Sequence, residues 1–403
     1  MNAIENLATK KRLFKDERVF ELSYIPKQIL YRNSELELLS SIFHSVLEKP
    51  FSISRKVILQ GPVGVGKTLT AKVFINNMEQ AISIRSLNFK TFIINCRQSG
   101  TAHLILGVIL AGLGKRIKTR GISPQELFEE LLYTLKQQKI YLILVLDELH
   151  YINEGKFPLI YSLSRIAEYS KEGKEYISII GIVRNISLVG SLDASTKSTL
   201  QEHIITFNKY SKKEIFSILD QRIRLGLHQN VISNINLEFI ANIVSKTGDI
   251  RKGLIIIKNS VLIAETKNGS CVQLEDIMNA CDPESDPVSD NILKNPIKHE
   301  IAILLAFIRL LKRKNEYIIN FEELFNQAKV VFSQYSLEKK EPSKILFDLK
   351  SAEKAGFLKI LAEKRSDLTK IMIILENPGL LKFESVFQDI LKSKEKDGGR
   401  KGV

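Results

Sequence analysis

Hydrophobic residues follow two different rhythms along this chain. In the first half they come as short, nearly unbroken runs: Val57-Ile58-Leu59, then Thr91 to Cys96, Tyr141 to Leu146, and Ile177 to Val183. A run that is apolar on both sides of the pleat suits a parallel strand covered on both faces, so each is expected to be a buried strand. From Phe207 the apolar positions recur every three or four residues. That spacing predicts helices over Lys212 to Leu225, Leu237 to Thr247, Arg251 to Thr266 and Leu274 to Ala280. After a stretch rich in Asp, Ser, Pro and Asn, helical spacing returns over Ile297 to Lys314, Phe321 to Phe332 and Pro342 to Ala355. Two short strands follow, Phe357 to Leu361 and Thr369 to Leu375.

This order predicts an α/β domain with a parallel sheet, an all-α lid domain, and a C-terminal unit of three helices and a strand hairpin, a winged helix-turn-helix. The expected boundaries are 1–206 for the α/β domain, 207–285 for the lid, 286–296 for a linker, 297–391 for the winged helix and 392–403 for a disordered basic tail. With 403 residues there is enough chain for two or three such cores.

The strand ending at Gln60 runs directly into Gly61-Pro62-Val63-Gly64-Val65-Gly66-Lys67-Thr68-Leu69. Strand, G-x-x-x-x-G-K-[ST], then helix is the order a phosphate loop requires. The glycines let backbone N–H groups approach phosphate oxygens, and the helix N-terminus adds partial positive charge. Lys67 is expected at the β and γ phosphates of ATP or ADP, and Thr68 at Mg²⁺. The four fixed positions alone would match by chance in roughly one or two of every hundred chains this long. A second signal supports the first: the run from Tyr141 ends in Asp147-Glu148, which puts Asp147 where the nucleotide's Mg²⁺ would sit and Glu148 where a carboxylate can polarise water. Tyr24, Ile25 and Arg32, just ahead of the loop strand, are candidates to lie over the adenine; packing of an N-terminal arm explains each of them equally well. In the lid, Gly248-Asp249-Ile250-Arg251 opens a helix and leaves Arg251 able to face a γ-phosphate.

Charge changes the picture in one respect. The chain holds 59 Lys and Arg against 45 Asp and Glu, a net charge of +14, and residues 294–403 alone hold 22 basic against 15 acidic residues. That balance suggests a polyanionic partner, most simply DNA. On the third winged-helix helix, started by Pro342, the residues Ser343, Lys344, Asp348 and Lys350 are expected to face DNA, with Lys364 and Arg365 at the hairpin tip on phosphates or in the minor groove. Such domains also bind proteins. Leu104 to Leu113 is apolar on nearly every face and is followed by Lys115, Arg116, Lys118 and Arg120. An insertion near 99–123 of that kind suits DNA or protein contact, and equally an ordinary core helix followed by a solvated charge run. Three scattered cysteines, Cys96, Cys271 and Cys281, suggest buried thiols in a reducing compartment. No apolar run approaches the roughly 20 residues of a membrane span, so a cytoplasmic, nucleoid-associated protein without a membrane partner is expected.

These motifs together resemble the archaeal AAA+ replication initiators related to the eukaryotic origin recognition complex and its Cdc-type loader. The likeness runs through Phe14-Lys15-Asp16, Tyr24-Ile25-Pro26 with Arg32, the phosphate loop, Asn95-Cys96-Arg97-Gln98 with Thr101, Leu146-Asp147-Glu148, Lys197-Ser198-Thr199-Leu200 and Gly248-Asp249-Ile250-Arg251. The resemblance implies origin double-stranded DNA as ligand, bound by both the insertion and the winged helix. It further implies a replicative helicase and a paralogous initiator subunit as partners, Arg251 as the sensor 2 arginine, and slow ATP hydrolysis serving as a conformational switch. Two departures stand out. Arg184 occupies the place of the family's sensor 1 asparagine, and Ser195 that of its trans-acting arginine, which points to a divergent paralogue. Related modules also build ATP-driven helicase loaders and signalling or transposition regulators, and the departures do not separate these readings.

Overall fold

The computed structural model describes residues 12–115, 121–153, 157–169, 173–185, 187, 194–281, 297–362 and 371–392. The chain divides into two compact units, Ile25–Glu214 on the one hand and Met1–Tyr24 with Ile215–Val403 on the other.

The first unit is built around a five-stranded parallel sheet. In chain order its elements are α1 (Asn33–Glu48), β1 (Lys56–Gln60), α2 (Lys67–Ile84), β2 (Phe89–Asn95), α3 (Ala102–Gly112), α4 (Pro124–Gln138), β3 (Tyr141–Asp147), α5 (Leu159–Ser164), β4 (Ile177–Val183), α6 (Ala194–Leu200) and β5 (His203–Thr206). The strand order is β2-β3-β4-β1-β5. Every residue of β3 and of β4 is buried, as a central strand covered on both faces demands. The two-residue period then divides β3 between two cores. Leu142, Leu144 and Leu146 pack with α3 and α4 residues such as Leu106 and Leu131, while Ile143 and Val145 pack with Phe43, Phe74 and Leu59.

α3 is not buried all round, although its sequence is apolar on nearly every face. Ile105, Leu106, Ile109 and Leu110 enter the core, whereas Leu104 and Val108 stand about half exposed. α4 starts with a capping box, Ser123 bonding the Glu126 backbone while the Glu126 carboxylate bonds back, and carries Pro124 in its first turn.

The second unit contains α7 (Lys212–Gly226, whose first three residues belong to the first unit), α8 (Asn234–Thr247), α9 (Ile250–Thr266) and α10 (Leu274–Ala280). These are followed by α11 (Lys298–Lys314), β6 (Ile318–Asn320), α12 (Phe321–Gln334), α13 (Pro342–Lys354), β7 (Leu358–Ala362), β8 (Ile371–Leu375) and α14 (Glu384–Lys392). α11 is buried from Ile301 to Ile308 because α12, α13 and α14 all pack on it. The small sheet is antiparallel in the order β6-β8-β7, with Ile373 opposite both Ile319 and Ile360. This is the three-helix and hairpin arrangement of a winged helix.

The helices before and after residues 282–296 pack together. Phe239 and Tyr317 have ring centroids 5.1 Å apart, Lys246 Nζ donates to Glu376 O at 3.0 Å, and the Leu274 amide donates to the Asn315 side chain. The N-terminal arm corrects the expected 1–206 boundary. Residues 13–24 pack on this helical unit: the Lys15 and Asp16 amides donate to Gly226 O at 2.8 and 3.1 Å, and Lys258 pairs with Glu17 and Glu21 at 3.3 and 2.5 Å. Such pairing joins residues some 200 positions apart, so no local pattern announces it. The linker 286–296 and residues 393–403 lie outside the described residues. Among the described residues no helix is long and apolar enough to cross a membrane.

Candidate functional site

The parallel sheet sets the site. β4 pairs with β1 on one side and β3 on the other, so the carboxyl ends of β1 and β3 flank a common crevice, the usual ligand position in an open α/β sheet. The chain leaves β1 through Gly61, whose amide donates to Arg184 O at 3.2 Å. Gly61 has φ +149°, and a Cβ there would lie 2.3 Å from Phe207 O. Only glycine fits. At the other end of the loop Gly66 caps α2 in the left-handed region, φ 94°, which turns the first amides of the helix onto the loop.

Lys67 folds over this loop, with Nζ 2.6 Å from both Gly61 O and Pro62 O. Thr68 Oγ1 lies 3.2 and 3.1 Å from the two carboxylate oxygens of Asp147. Burial pushes the Asp147 carboxyl above its ordinary range, opposed by the hydrogen bonds from Thr68 and from the Glu148 amide. A hydroxyl and a buried carboxylate side by side form a hard-oxygen pair that suits Mg²⁺ beside a nucleotide. Glu148 itself is held at φ 55°, ψ 44°, a left-handed conformation costing a non-glycine residue about 1 kcal/mol. Strain of this kind at a strand end marks a residue whose direction matters. The residues from Gly61 to Thr68, Asp147 and Glu148 are thus brought together as the sequence had them.

Arg32 is held on several sides. It is buried, and its guanidinium donates to Val65 O at 2.9 Å, Asn208 O at 2.7 Å, Tyr31 O at 3.1 Å and the Glu35 carboxylate at 3.0 Å, with the Tyr210 ring 3.9 Å from its centre. It therefore braces the phosphate loop against the segment after β5, the packing role that the sequence left open beside the adenine one. Arg32→Ala is expected to lower stability by about 3 kcal/mol, because it strips donors from buried carbonyls. Arg32→Lys should recover little of this, since an ammonium cannot span the same fork; denaturant unfolding of the three proteins checks it. Tyr24, the second candidate, packs its ring on the guanidinium of Arg222 at 4.8 Å within the helical unit. Ile25 is 37% exposed.

Two further residues, His150 and Arg165, were not singled out from sequence. His150 stands on the turn after Glu148, its Nδ1 buried without a hydrogen-bond partner; burial, then the Arg184 and Lys67 cations, push the imidazole below its usual range. Arg165, at the end of α5, donates to Ser195 Oγ at 2.9 Å. Cys96 is buried, and burial together with Asp147 and Glu148 pushes its thiol up to about 12.

In the helical unit Arg251 lies in the first turn of α9, exposed, its guanidinium bound to the N-cap Asp249 at 2.9 and 2.8 Å. On α13, Ser343, Lys344 and Lys350 are exposed, as expected. Asp348 is not: its carboxylate pairs with Lys340 at 2.6 Å and turns from the outer face. Lys115 pairs with Glu130 of α4 at 2.9 Å. Arg116, Lys118, Arg120, Lys364 and Arg365 lie outside the described residues.

Comparison with known proteins bears directly on this arrangement. Residues 54–182 match the AAA domain family, and residues 216–282 match the Cdc6 AAA+ ATPase-type lid domain. The ORC1-type DNA replication protein 2 of Methanosarcina mazei is 31% identical over 285 residues, which cover 70% of this chain and 74% of that protein. The chain belongs to the ORC1-type DNA replication proteins. The resemblance read from its motifs is borne out, as is the expected fold class. Among solved structures, the Cdc6 protein of Pyrobaculum aerophilum superposes with a TM-score of 0.79 at 24% identity, over 94% of this chain and 99% of that one. The ORC1 protein of Aeropyrum pernix, solved in complex with DNA, superposes with a TM-score of 0.61 at 22% identity, over 95% and 100%. These likenesses establish that this ORC1-type chain shares the AAA+, lid and winged-helix fold.

Proposed function

We propose that this ORC1-type protein is an ATP-dependent, origin-binding initiator of chromosomal replication that acts beside a paralogous subunit and helps recruit the replicative helicase. The observation that carries the reading is the union in one chain of a phosphate-loop site with a winged helix whose α13 presents Ser343, Lys344 and Lys350 outward. The DNA in the Aeropyrum pernix structure supports the choice of ligand.

The loop amides and Lys67 are suited to hold the nucleotide's phosphates, Thr68 and Asp147 its Mg²⁺, and Glu148 to accept a proton at its carboxylate. The nucleotide supplies a γ-phosphate whose loss distinguishes two states. Arg251, on the Gly-Asp-Ile-Arg motif, is the proposed lid cation that reads it, so nucleotide state sets the geometry in which the winged helix meets DNA. With Arg184 and Ser195 in place of the family's residues, hydrolysis is expected to be slow.

DNA affinity should come mainly from phosphate contacts and fall steeply with salt. Titration of a duplex from the chromosome's origin region, with ATP and with ADP, tests the switch. The wild type should bind origin DNA with different affinities in the two states, and Arg251→Ala should lose that difference. Identical affinities for the wild type with ATP and ADP would sink it.

A further inference from the structure

α13 carries an unusual outer face. Its exposed side chains are Ser343, Lys344, Phe347, Lys350, Ser351 and Lys354. At about 100° per residue these six fall within an arc of roughly 120°, with Phe347 near its middle. The opposite side is buried through Ile345, Leu349 and Ala352. Phe347 is 73% exposed, so it contributes little to the core, although a phenylalanine in the plane of a solvent face costs solubility. Both carboxylates within the helix are withdrawn: Asp348 pairs with Lys340 at 2.6 Å, and Glu353 accepts from the Ile360 amide at 2.9 Å. What remains is one aromatic ring framed by three ammonium groups and two hydroxyls. A recess of about 420 Å³ lined by Lys340, Ser343, Lys344, Phe347 and Asp348 runs along the flank of the ring.

Each part of that face has a counterpart on duplex DNA. The lysines suit phosphates, and the hydroxyls suit either phosphates or base edges. The ring is the telling member. On the floor of the major groove every base offers hydrogen-bonding groups, and the one apolar group is the C5-methyl of thymine. A helix that fits this groove and leads with an unpaired phenyl ring has that methyl as its matching contact.

We propose that Phe347 is a specificity-determining residue of the winged helix and reads a thymine methyl in the major groove. The inference rests on the origin-binding reading above and assigns Phe347 a role that the lysines around it cannot fill, since ammonium groups bind every sequence alike. Lysine contacts make affinity salt-dependent; the ring makes it base-dependent.

The test uses the full chain and the duplex it protects in footprinting. Thymines under the winged helix are replaced one at a time by deoxyuridine, which removes only the methyl. The wild type should lose about fourfold in affinity at one or two of these positions, the worth of one buried methyl. Phe347→Ala should bind the unmodified duplex about tenfold more weakly, at the cost of a poor base contact. It should keep the wild-type melting temperature and salt dependence, and it should be indifferent to the same methyl. Phe347→Leu, which keeps an apolar tip, should recover part of the loss. Lys344→Ala, by contrast, should weaken binding equally on both duplexes and reduce the salt slope by about 1. Wild-type affinity for Phe347→Ala, or an undiminished methyl effect in that variant, overturns the assignment alone. A wild type that binds origin and random duplexes equally overturns the origin reading, and this residue's role with it.

Discussion

Replacing Lys67 by alanine should weaken ATP and ADP binding at least about 100-fold, the loss expected when two charge-assisted hydrogen bonds to phosphate disappear. Lys67 is only 9% exposed and its ammonium stands 2.6 Å from two loop carbonyls, so the side chain is already ordered at the place where phosphates would lie. Binding therefore needs little further immobilisation of a flexible chain, and the charge acts where water is largely excluded. The fold should survive, because Lys67 is absent from the apolar cores on which the sheet rests. Titration with a fluorescent nucleotide, alongside thermal melts, separates the two effects. A Lys67→Ala protein that binds nucleotide as the wild type does would remove the phosphate-loop assignment.

Gly61→Ala should produce the largest loss of stability among single changes in the loop. Its Cβ would fall 2.3 Å from Phe207 O and 3.0 Å from Phe207 Cβ, in a backbone conformation at φ +149° that L side chains rarely adopt. Phe207 is fully buried, its amide bonded to Gln60 O at 2.8 Å, so it cannot retreat without loosening the junction of β1 and β5. If the loop moves instead, it gives up the Gly61 amide bond to Arg184 O and the Lys67 contact with Gly61 O. Either way the cost should be about 3 kcal/mol. In a unit of this size that lowers the melting temperature by about 6 to 12 °C, and nucleotide binding should fall with it. A melting temperature within a degree of the wild type would mean that this junction is looser than its geometry implies.

The parts legible from sequence share one property: their partners are close in the chain or their burial is uniform. Gly61 to Thr68 declare themselves through fixed spacing. The run Ile177 to Val183 matches β4 at both ends because a strand buried on both faces leaves no polar residue to blur it. Helix starts were readable where a residue carries the signal, as Pro342 does for α13. β5 and β6 were not, being four and three residues long with no periodicity to detect. The start of α4 is spelled out by the capping box Ser123-Pro124-Gln125-Glu126, but the basic stretch just before it masks that signal.

The partners of Arg32 were illegible for a different reason. An arginine ahead of a phosphate loop has the right charge for many tasks, and the carbonyls that fix it, Val65 O and Asn208 O, lie 33 and 176 residues further along the chain. Asp348 fell the same way, to a lysine eight positions before it. For charged groups, composition gave the surface its sign, and only three-dimensional pairing decided which of them remain available.

The central claim, that this chain recognises origin DNA under nucleotide control, is tested most directly by footprinting the full-length protein on its own chromosome's origin region, with ATP or ADP and with random DNA as competitor. The account predicts discrete protected sites that survive the competitor, each covering the footprint of one winged helix with an adjoining patch, and differing in strength between the two nucleotides. Weak, uniform protection that moderate salt removes, the same with ATP and ADP, would contradict it.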